Sequence, residues 1–354
     1  MTERIGWGIM GTGGIAHVFA DAIAQSDTGT LVAVSSREAA KAEAFATETG
    51  ATRAHASHEA LLADPAVRIV YVSTLHPYHV ELAIAAAQAG KHVLCEKPIA
   101  MTASGAARVI EAARAAKVFL MEAFAFRLHP QTTRLMELIE GGAIGDIRMM
   151  SLAWGFDFGS TDGSGYHLDH GRGGGSILDN GCYPVAFARR VAGPSVGRVF
   201  RDPDQVVGTG LLHPDSQVDW DAQALLWWEG GISAQISGTL RTEIDKTVLI
   251  LGSGGVIRLP APYLPLRPDR FGGVPRILVE RQGQEPEEIA IDVTKNAYVS
   301  EADRVAGYVP EGRTEAPEYA WDDILGNMRT LDRWRAAIGV RYPADEAVDT
   351  AAAS

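Results

Sequence analysis

Ile5-Gly6-Trp7-Gly8-Ile9-Met10-Gly11-Thr12-Gly13-Gly14-Ile15-Ala16 reads as a buried strand running straight into a glycine turn. A helical segment follows to about residue 24. In the pattern Gly11-x-Gly13-x-x-Ala16 the glycines permit a tight turn and a close approach of backbone to a pyrophosphate. The helix start supplies N–H donors and the positive end of its dipole. Such a motif carries little weight alone. Placed between a strand and a helix, in a βαβ unit, it is a dinucleotide signature. Gly11, Gly13, Gly14, Ile15 and Ala16 are therefore candidate cofactor contacts.

Outward from this turn the pattern alternates. Strands are expected at 31–35, 54–56, 69–73, 92–95 and 118–122, with helices at 38–49, 58–62, 79–89 and 102–116. Gly50 and Gly90 end two of these helices, and Asp64-Pro65 ends a third. Strand–helix alternation with short connections predicts a doubly wound parallel sheet. The first domain is expected to span 1–122 and an α+β domain 123–354. The second domain is expected to hold helices at 130–140 and 177–192 and a strand at 147–156. Strands at 223–228, 232–240, 246–252, 255–259 and 277–280 make its sheet large, open and mainly antiparallel. Two segments, 159–175 and the proline-rich 260–275, read as long loops. Helices are expected at 296–305 and 321–338, the latter an amphipathic stripe packing back near the domain junction.

The chain has 354 residues, 46% of them hydrophobic and 21% charged, enough for two ordinary cores. Net charge is −12, with a pI near 5.3, which argues against nucleic acid or an anionic membrane as partner. Cys95 and Cys182 are the only cysteines, so a disulfide scaffold is excluded and a reducing cytoplasm is expected. The run from Ile5 is broken by glycines and reads as neither signal peptide nor membrane span.

Three polar clusters fall where strands end, and a fourth lies where the loop 159–175 runs into a helix. Ser35-Ser36-Arg37 stands where an NAD site usually carries an acid for the ribose hydroxyls. Ser36 can donate to a 2′-phosphate and Arg37 can pair with it, so NADP is preferred, with NAD possible. Ser73-Thr74-Leu75-His76-Pro77-Tyr78-His79 is a polar loop facing the crevice. His79 also reads as a simple helix cap, and His76 with His79 lacks a third ligand, so no metal is expected. Val93-Leu94-Cys95-Glu96-Lys97-Pro98 delivers Lys97 at the end of a sheet strand. Pro98 restricts Lys97 to extended conformations and can follow a cis bond. In Gly173-Gly174-Gly175-Ser176-Ile177-Leu178-Asp179-Asn180-Gly181-Cys182-Tyr183-Pro184 the three leading glycines allow close approach of a ligand. A helix starting near Ser176 puts Asp179 and Tyr183 on one face. Pro184 kinks that helix or delays its start. The cluster alone fits a core tyrosine with a capping acid equally well. His167, Asp169 and His170 read as a loop lining the site rather than a metal set.

The glycine turn, Ser73-Thr74 with His79, Glu96-Lys97-Pro98, and Gly173 to Tyr183 together resemble the Gfo/Idh/MocA oxidoreductases over nearly the whole chain. Met121-Glu122-Ala123-Phe124 with Arg127 and Pro130, and the ending Met328 to Pro343, resemble the branch of dihydrodiol and NADP-dependent D-xylose dehydrogenases. Tyr183 matches that branch; inositol dehydrogenase-like members carry His there. Two stretches depart: Leu75-His76 replaces the Pro-Asn of many relatives, and His167-Leu168-Asp169-His170 replaces a basic residue followed by Leu-Asp-Pro.

The resemblance implies hydride transfer between a carbinol carbon of a sugar, polyol or dihydrodiol and nicotinamide C4. It implies Tyr183 as acid/base, Lys97 as the charge that assists it, and Asp179 as the group that orients the substrate. It also implies Glu96 and Arg127 near the cofactor, and Phe126, Phe156, Asp157, Phe158 and His167 as pocket walls. Two other readings keep the fold: a non-catalytic dinucleotide sensor, and a sugar–sugar oxidoreductase with tightly held NADP. The family pairs subunits through the open face of the second sheet, so a homodimer or homotetramer is expected. Trp227 and Trp228 serve that face or pack a core.

Overall fold

Ile5–Met10 forms strand β1, buried from Gly6 onward. In the computed structural model, which describes residues 4–158, 165–267 and 272–345, β1 lies inside a six-stranded sheet. Parts of the two expected long loops and the end of the chain lie outside the described residues. After β1 come α1 (Gly14–Ala24), β2 (Gly29–Ser35), α2 (Ala39–Thr49), β3 (Arg53–His55) and α3 (His58–Leu62). Then follow β4 (Ile69–Val72), α4 (His76–Gln88), β5 (His92–Glu96), α5 (Ala103–Ala116) and β6 (Leu120–Ala123). The strand order is β3-β2-β1-β4-β5-β6, every pair parallel. All four residues of β4 are buried, as a parallel strand covered on both faces requires. Helix α4 starts at His76, three residues before the expected start. Pro77 sits in its first turn, where a missing N–H costs nothing.

The chain packs as two units that do not follow a single cut at 122/123. The first takes residues up to Ala100, Ser104–His129 and Lys295–Ile324; the second takes Met101–Ala103, Pro130–Thr294 and the chain from Leu325. The return of 295–324 has a physical cause. Strand β6 is a sheet edge, and its backbone is paired from that segment: Leu120 N–H donates to Thr314 O at 3.0 Å, and Trp321 Nε1 donates to Leu120 O at 3.1 Å. Helix α8 (Ala297–Tyr308) packs on α1, and its Asp303 accepts from the Ser26 and Thr28 hydroxyls at 2.6 and 2.8 Å.

The second unit begins with α6 (Pro130–Glu140) and β7 (Ile147–Gly155). A π-turn (Ile177–Gly181) leads directly into α7 (Cys182–Ala192). The remaining strands are β8 (Gln205–Leu212), β9 (Asp219–Trp228), β10 (Ile232–Thr239), β11 (Val248–Gly252), β12 (Gly255–Leu259), β13 (Arg276–Arg281) and β14 (Glu287–Ala290). They form one sheet ordered β14-β13-β12-β11-β7-β10-β9-β8, antiparallel except where β7 meets β10. The last helix, α9 (Trp321–Ala337), gives its first residues to the first unit and the rest to the second.

Two strands, β8 and β14, go beyond those expected from the residue pattern. In β8, glycines stand where side chains would meet the last helix and the residue after it: a Cβ on Gly208 would lie 2.8 Å from Trp334, and one on Gly210 3.1 Å from Ile338. The alternation that marks a half-buried strand is therefore missing from its residues. On β9 the alternation is plain. Ala222, Ala224, Leu226 and Trp228 are buried, while Gln223, Leu225 and Trp227 face out. Trp228 is thus core and Trp227 surface.

Candidate active site

In the first unit, Gly11 adopts φ +110°, and a Cβ there would lie 2.7 Å from Ser73 O. Only glycine fits that turn. Gly13 is the N-cap of α1 and offers no side chain to the helix N–H groups; the first turn carries no acid. A Cβ on Gly13 or Gly14 would meet nothing within 4 Å. The helix start is therefore an open, uncapped donor site, followed directly by Ile15 and by buried Ala16. Ser36 and Arg37 follow the end of β2, and the Arg37 guanidinium lies 5.4 Å over the Tyr78 ring. The nearest acid in sequence, Glu38, is held by Lys41 at 2.6 Å.

At the end of β4, Ser73 Oγ donates to Met10 O, and the Thr74 hydroxyl is buried without a protein partner. Leu75 caps α4, and His76 is buried with its ring 5.8 Å from that of His79. His79 is fully buried, its Nδ1 2.8 Å from Pro98 O and its Nε2 3.0 Å from Thr74 O. It is more than a helix cap. It ties the Thr74 turn to the Lys97-Pro98 turn, whose peptide bond is cis. Burial lowers the His79 pKa; the two carbonyls oppose that, and the charge of Lys97 adds to it.

Glu96 ends β5, buried. The Tyr71 hydroxyl donates to Glu96 Oε1, and the Lys97 N–H donates to Oε2 at 3.1 Å. Tyr71 itself stacks on Phe19 at 3.9 Å. The residue pattern does not single out Tyr71. The available signal is a phenol in an all-buried strand, which needs an acceptor. Arg127, expected near the cofactor, has its guanidinium 2.9 Å from Asp323 in a fully buried ion pair, 4.5 Å over the Tyr319 ring. Phe126 is fully buried, with its ring 5.7 Å from Phe124.

In the second unit, protein neighbours crowd Gly174 and Gly175 of the glycine run. Gly173 ends a short turn at φ +73°. A Cβ on Gly174 would lie 2.4 Å from His167 O, and one on Gly175 2.2 Å from Asp219 Oδ1. Pro184 does not break the helix. It lies in the first turn of α7, and the wide π-turn directly before it absorbs the change of register. This turn carries Asp179, and the following residues carry Tyr183; both are buried.

Asp179 is faced from both sides by one short loop. Tyr166 Oη is 3.4 Å from Oδ1, and His167 Nε2 is 3.4 Å from Oδ2. The His167 ring stacks on Tyr166 at 3.8 Å and meets Phe158 at 4.0 Å and Phe156 at 6.0 Å. The expected walls Phe156, Phe158 and His167 thus gather beside Asp179, whereas Asp157 is exposed. Tyr183 packs within rings of its own, 5.3 Å from Trp154 and 5.6 Å from Tyr263. Lys97 stands in the first unit, and Asp179 and Tyr183 in the second. His170 instead bonds Arg341 O at 2.6 Å, and Asp169 caps the turn at Arg172. No metal-binding group of His, Cys, Asp or Glu exists among the described residues.

Residues 5–124 match the family described as "Oxidoreductase family, NAD-binding Rossmann fold", and residues 132–258 match the "GFO/IDH/MocA C-terminal domain". The chain is 30% identical over 347 residues to a mouse trans-1,2-dihydrobenzene-1,2-diol dehydrogenase, covering 96% of this chain and 98% of the relative. It is 36% identical over 330 residues to a D-xylose 1-dehydrogenase (NADP(+)) of Haloferax volcanii, covering 92% and 95%. Among solved structures, a 3-ketoreductase from Actinomadura kijaniata in complex with TDP-benzene and NADP superposes with a TM-score of 0.78. It shares 26% identity and is covered to 98%, with 95% of this chain. An open helix start behind a glycine turn, a parallel sheet ordered around it and this continuous similarity lead to one conclusion: the chain belongs to the Gfo/Idh/MocA family of NAD(P)-dependent oxidoreductases.

Proposed function

We propose that this enzyme moves a hydride between the hydroxyl-bearing carbon of a sugar, polyol or dihydrodiol and the nicotinamide of NADP, with Tyr183 as acid/base and Lys97 assisting. The observation that carries the reading is the uncapped start of α1, with open space over Gly13 and Gly14. The unpartnered Thr74 hydroxyl, at the end of the neighbouring strand, fits the same bound group. Gly11, Gly13, Gly14, Ile15 and Ala16 hold the pyrophosphate, and Ser36 and Arg37 take the 2′-phosphate. The absence of an acid at positions 35–37 favours NADP over NAD. The names of the relatives, a dihydrodiol dehydrogenase and an NADP-dependent xylose dehydrogenase, support the same substrate class and cofactor.

The nicotinamide accepts or supplies the hydride when bound. Everything else falls to the chain. Tyr183 takes or gives the proton at the substrate oxygen. The Lys97 ammonium favours the ionised phenol. Asp179, held between Tyr166 and His167, orients the substrate hydroxyls. Glu96, locked by Tyr71, steadies the turn that carries Lys97. We assign the chain to the cytoplasm, which suits its two buried cysteine thiols. No helix among the described residues is long and apolar enough to cross a membrane.

The test is a spectrophotometric screen of the purified protein with NADP or NAD against aldoses, inositols and dihydrodiols, and with NADPH against keto-sugars. Turnover of one such pair, faster with the phosphorylated cofactor, is the expected result. Silence across the whole panel in both directions overturns the reading.

A further inference from the structure

We propose that the C-terminal segment 335–345 is a clasp on the catalytic turn, in which Tyr342 and Asp219 act as positioning residues for Asp179 and Tyr183. The proposal rests on the role given above to those two side chains.

The clasp is a chain of polar contacts that starts in α9 and ends at the π-turn. Arg335 holds Asp345 through Nη1 at 2.7 Å and Nη2 at 3.0 Å, and its Nη2 also reaches Asp332 at 2.7 Å. Asp345 accepts the Tyr342 N–H at 2.7 Å. That fixes the Tyr342 ring between the Arg335 guanidinium, 5.2 Å above it, and the stacked His170 ring at 5.0 Å. The Tyr342 hydroxyl donates to Gly174 O and lies 3.4 Å from Asp219 Oδ1. The other Asp219 oxygen accepts from Ser176 Oγ at 3.0 Å and from the Ile177 N–H at 2.5 Å. Asp219 and Ser176 are fully buried, and Tyr342 nearly so.

These contacts converge on the first residues of the turn, not on the body of α7. A carboxylate at the first N–H groups of a helix satisfies donors that have no intrahelical acceptor and opposes the positive end of the dipole. Here that carboxylate comes from β9, so the sheet dictates where the helix starts. The register matters, because a slip of one residue rotates a helical side chain by about 100°. Asp179 and Tyr183 follow Ile177 by only two and six positions. Gly175 accounts for its own identity in the same way: with φ +116°, it leaves the space that Asp219 Oδ1 occupies. From the other side, Asn180 Nδ2 donates to Thr239 O at 2.8 Å, and Gly181 lets the Trp334 ring approach. The π-turn is thus pinned at its start by the clasp and at its end by β10 and α9. The tail Gly339-Val340-Arg341-Tyr342-Pro343, which resembles one branch of the family, thereby gains a structural role, since it presents the hydroxyl that closes the clasp.

Hydrogen exchange of the full-length protein, read by mass spectrometry, tests this directly. In Tyr342→Phe the amides of 174–183 should exchange about tenfold faster, the effect of one lost hydrogen bond, while β9 and β10 keep their protection. Asp219→Asn should act in the same direction and more strongly. Turnover of Tyr342→Phe should fall with an unchanged dissociation constant for NADP. Combined with Tyr183→Phe, it should cost less than it does alone, because the part of its effect that runs through Tyr183 is already lost. Unchanged exchange at 174–183 in Tyr342→Phe overturns the clasp, as does an additive loss in the double variant. If Tyr183→Phe alone turns over normally, the functional reading fails, and the exchange result still decides the clasp. If Asp219→Asn does not fold, Tyr342→Phe carries the test.

Discussion

Lys97 and Tyr183 have different duties in the proposed reaction, and single substitutions separate them. Lys97→Met and Tyr183→Phe should each leave NADP binding within a few-fold, since neither belongs to the pyrophosphate cradle. Each should lower turnover by roughly 10²- to 10⁴-fold, the usual range for a lost proton-transfer group. Stopped-flow turnover beside a cofactor titration checks both, and normal turnover in either variant removes its assigned role. A second set of residues makes stability depend on pH. Glu122 is fully buried, and burial raises its pKa to about 7, against the pull of the bonds from Tyr319 and Ile99 N–H. An acid with a raised folded pKa contributes stability below its unfolded value of 4.5 that is lost as pH rises through about 7. His129 does the reverse. Burial lowers its pKa from 6.5 to about 4, so its share is present above 6.5 and lost as pH falls through 4. Where the two windows overlap, from 4.5 to 6.5, the effects oppose each other. Glu122→Gln therefore isolates one of them. Relative to wild type, the variant should gain stability from pH 5 to pH 8, by roughly 3 kcal/mol at most for a shift of 4.5 to about 7. Urea midpoints at the two pH values measure it, and a constant difference refutes the assignment.

At the level of elements, the turn between β1 and α1 is legible in the residues because its requirements are local. A tight turn with positive φ needs glycine at position 11, and a strand before it and a helix after it show their own periodicities. Gly11→Ala should be destabilised by about 1–3 kcal/mol, because a Cβ would press on Ser73 O while φ stays positive. NADP affinity should fall at least about tenfold as the loop moves away from the helix start. Thermal melts and calorimetric titration read the two effects, and unchanged affinity would argue against this cradle. Other elements escape the residue pattern for equally physical reasons. Helix α4 begins at His76 because Pro77 is favoured in a first turn, although the same residues read as part of a loop. Strand β8 hides its alternation because Gly208 and Gly210 stand where side chains would press on Trp334 and Ile338. Gly173, Gly174 and Gly175 read as room for a ligand, yet the atoms that crowd Gly174 and Gly175 belong to His167, Asp219 and Tyr342. A glycine reports that something comes close; it does not say what.

For the molecule as a whole, the open face of the second sheet is the feature that a single chain leaves unexplained. Leu225 pairs across to Val207, and these two with Trp227 and Leu211 are about half exposed or more. We propose that this face joins copies of the chain into a homodimer or homotetramer, since a row of large exposed apolar groups on one sheet face favours burial. Leu225→Asp with Trp227→Asp should reduce the mass found by light scattering to that of one 37.8 kDa chain, with the fold intact by circular dichroism. An unchanged mass would place the interface elsewhere.

What the residues determined by themselves is whatever depends on near neighbours. They settled the alternation of strand and helix, the parallel sheet, the glycine turn, and Lys97 at the end of β5. Each follows from periodicity, caps and backbone sterics over a few positions. Only the tertiary structure decided which buried and half-buried polar groups meet. Asp303 reaches Ser26 across 277 positions, Asp219 reaches Ile177 across 42, and Tyr71 reaches Glu96 across 25. Each pairing is required because an acid or phenol removed from water must find a partner. Local pattern announces the need for a partner, and only the folded chain supplies its identity.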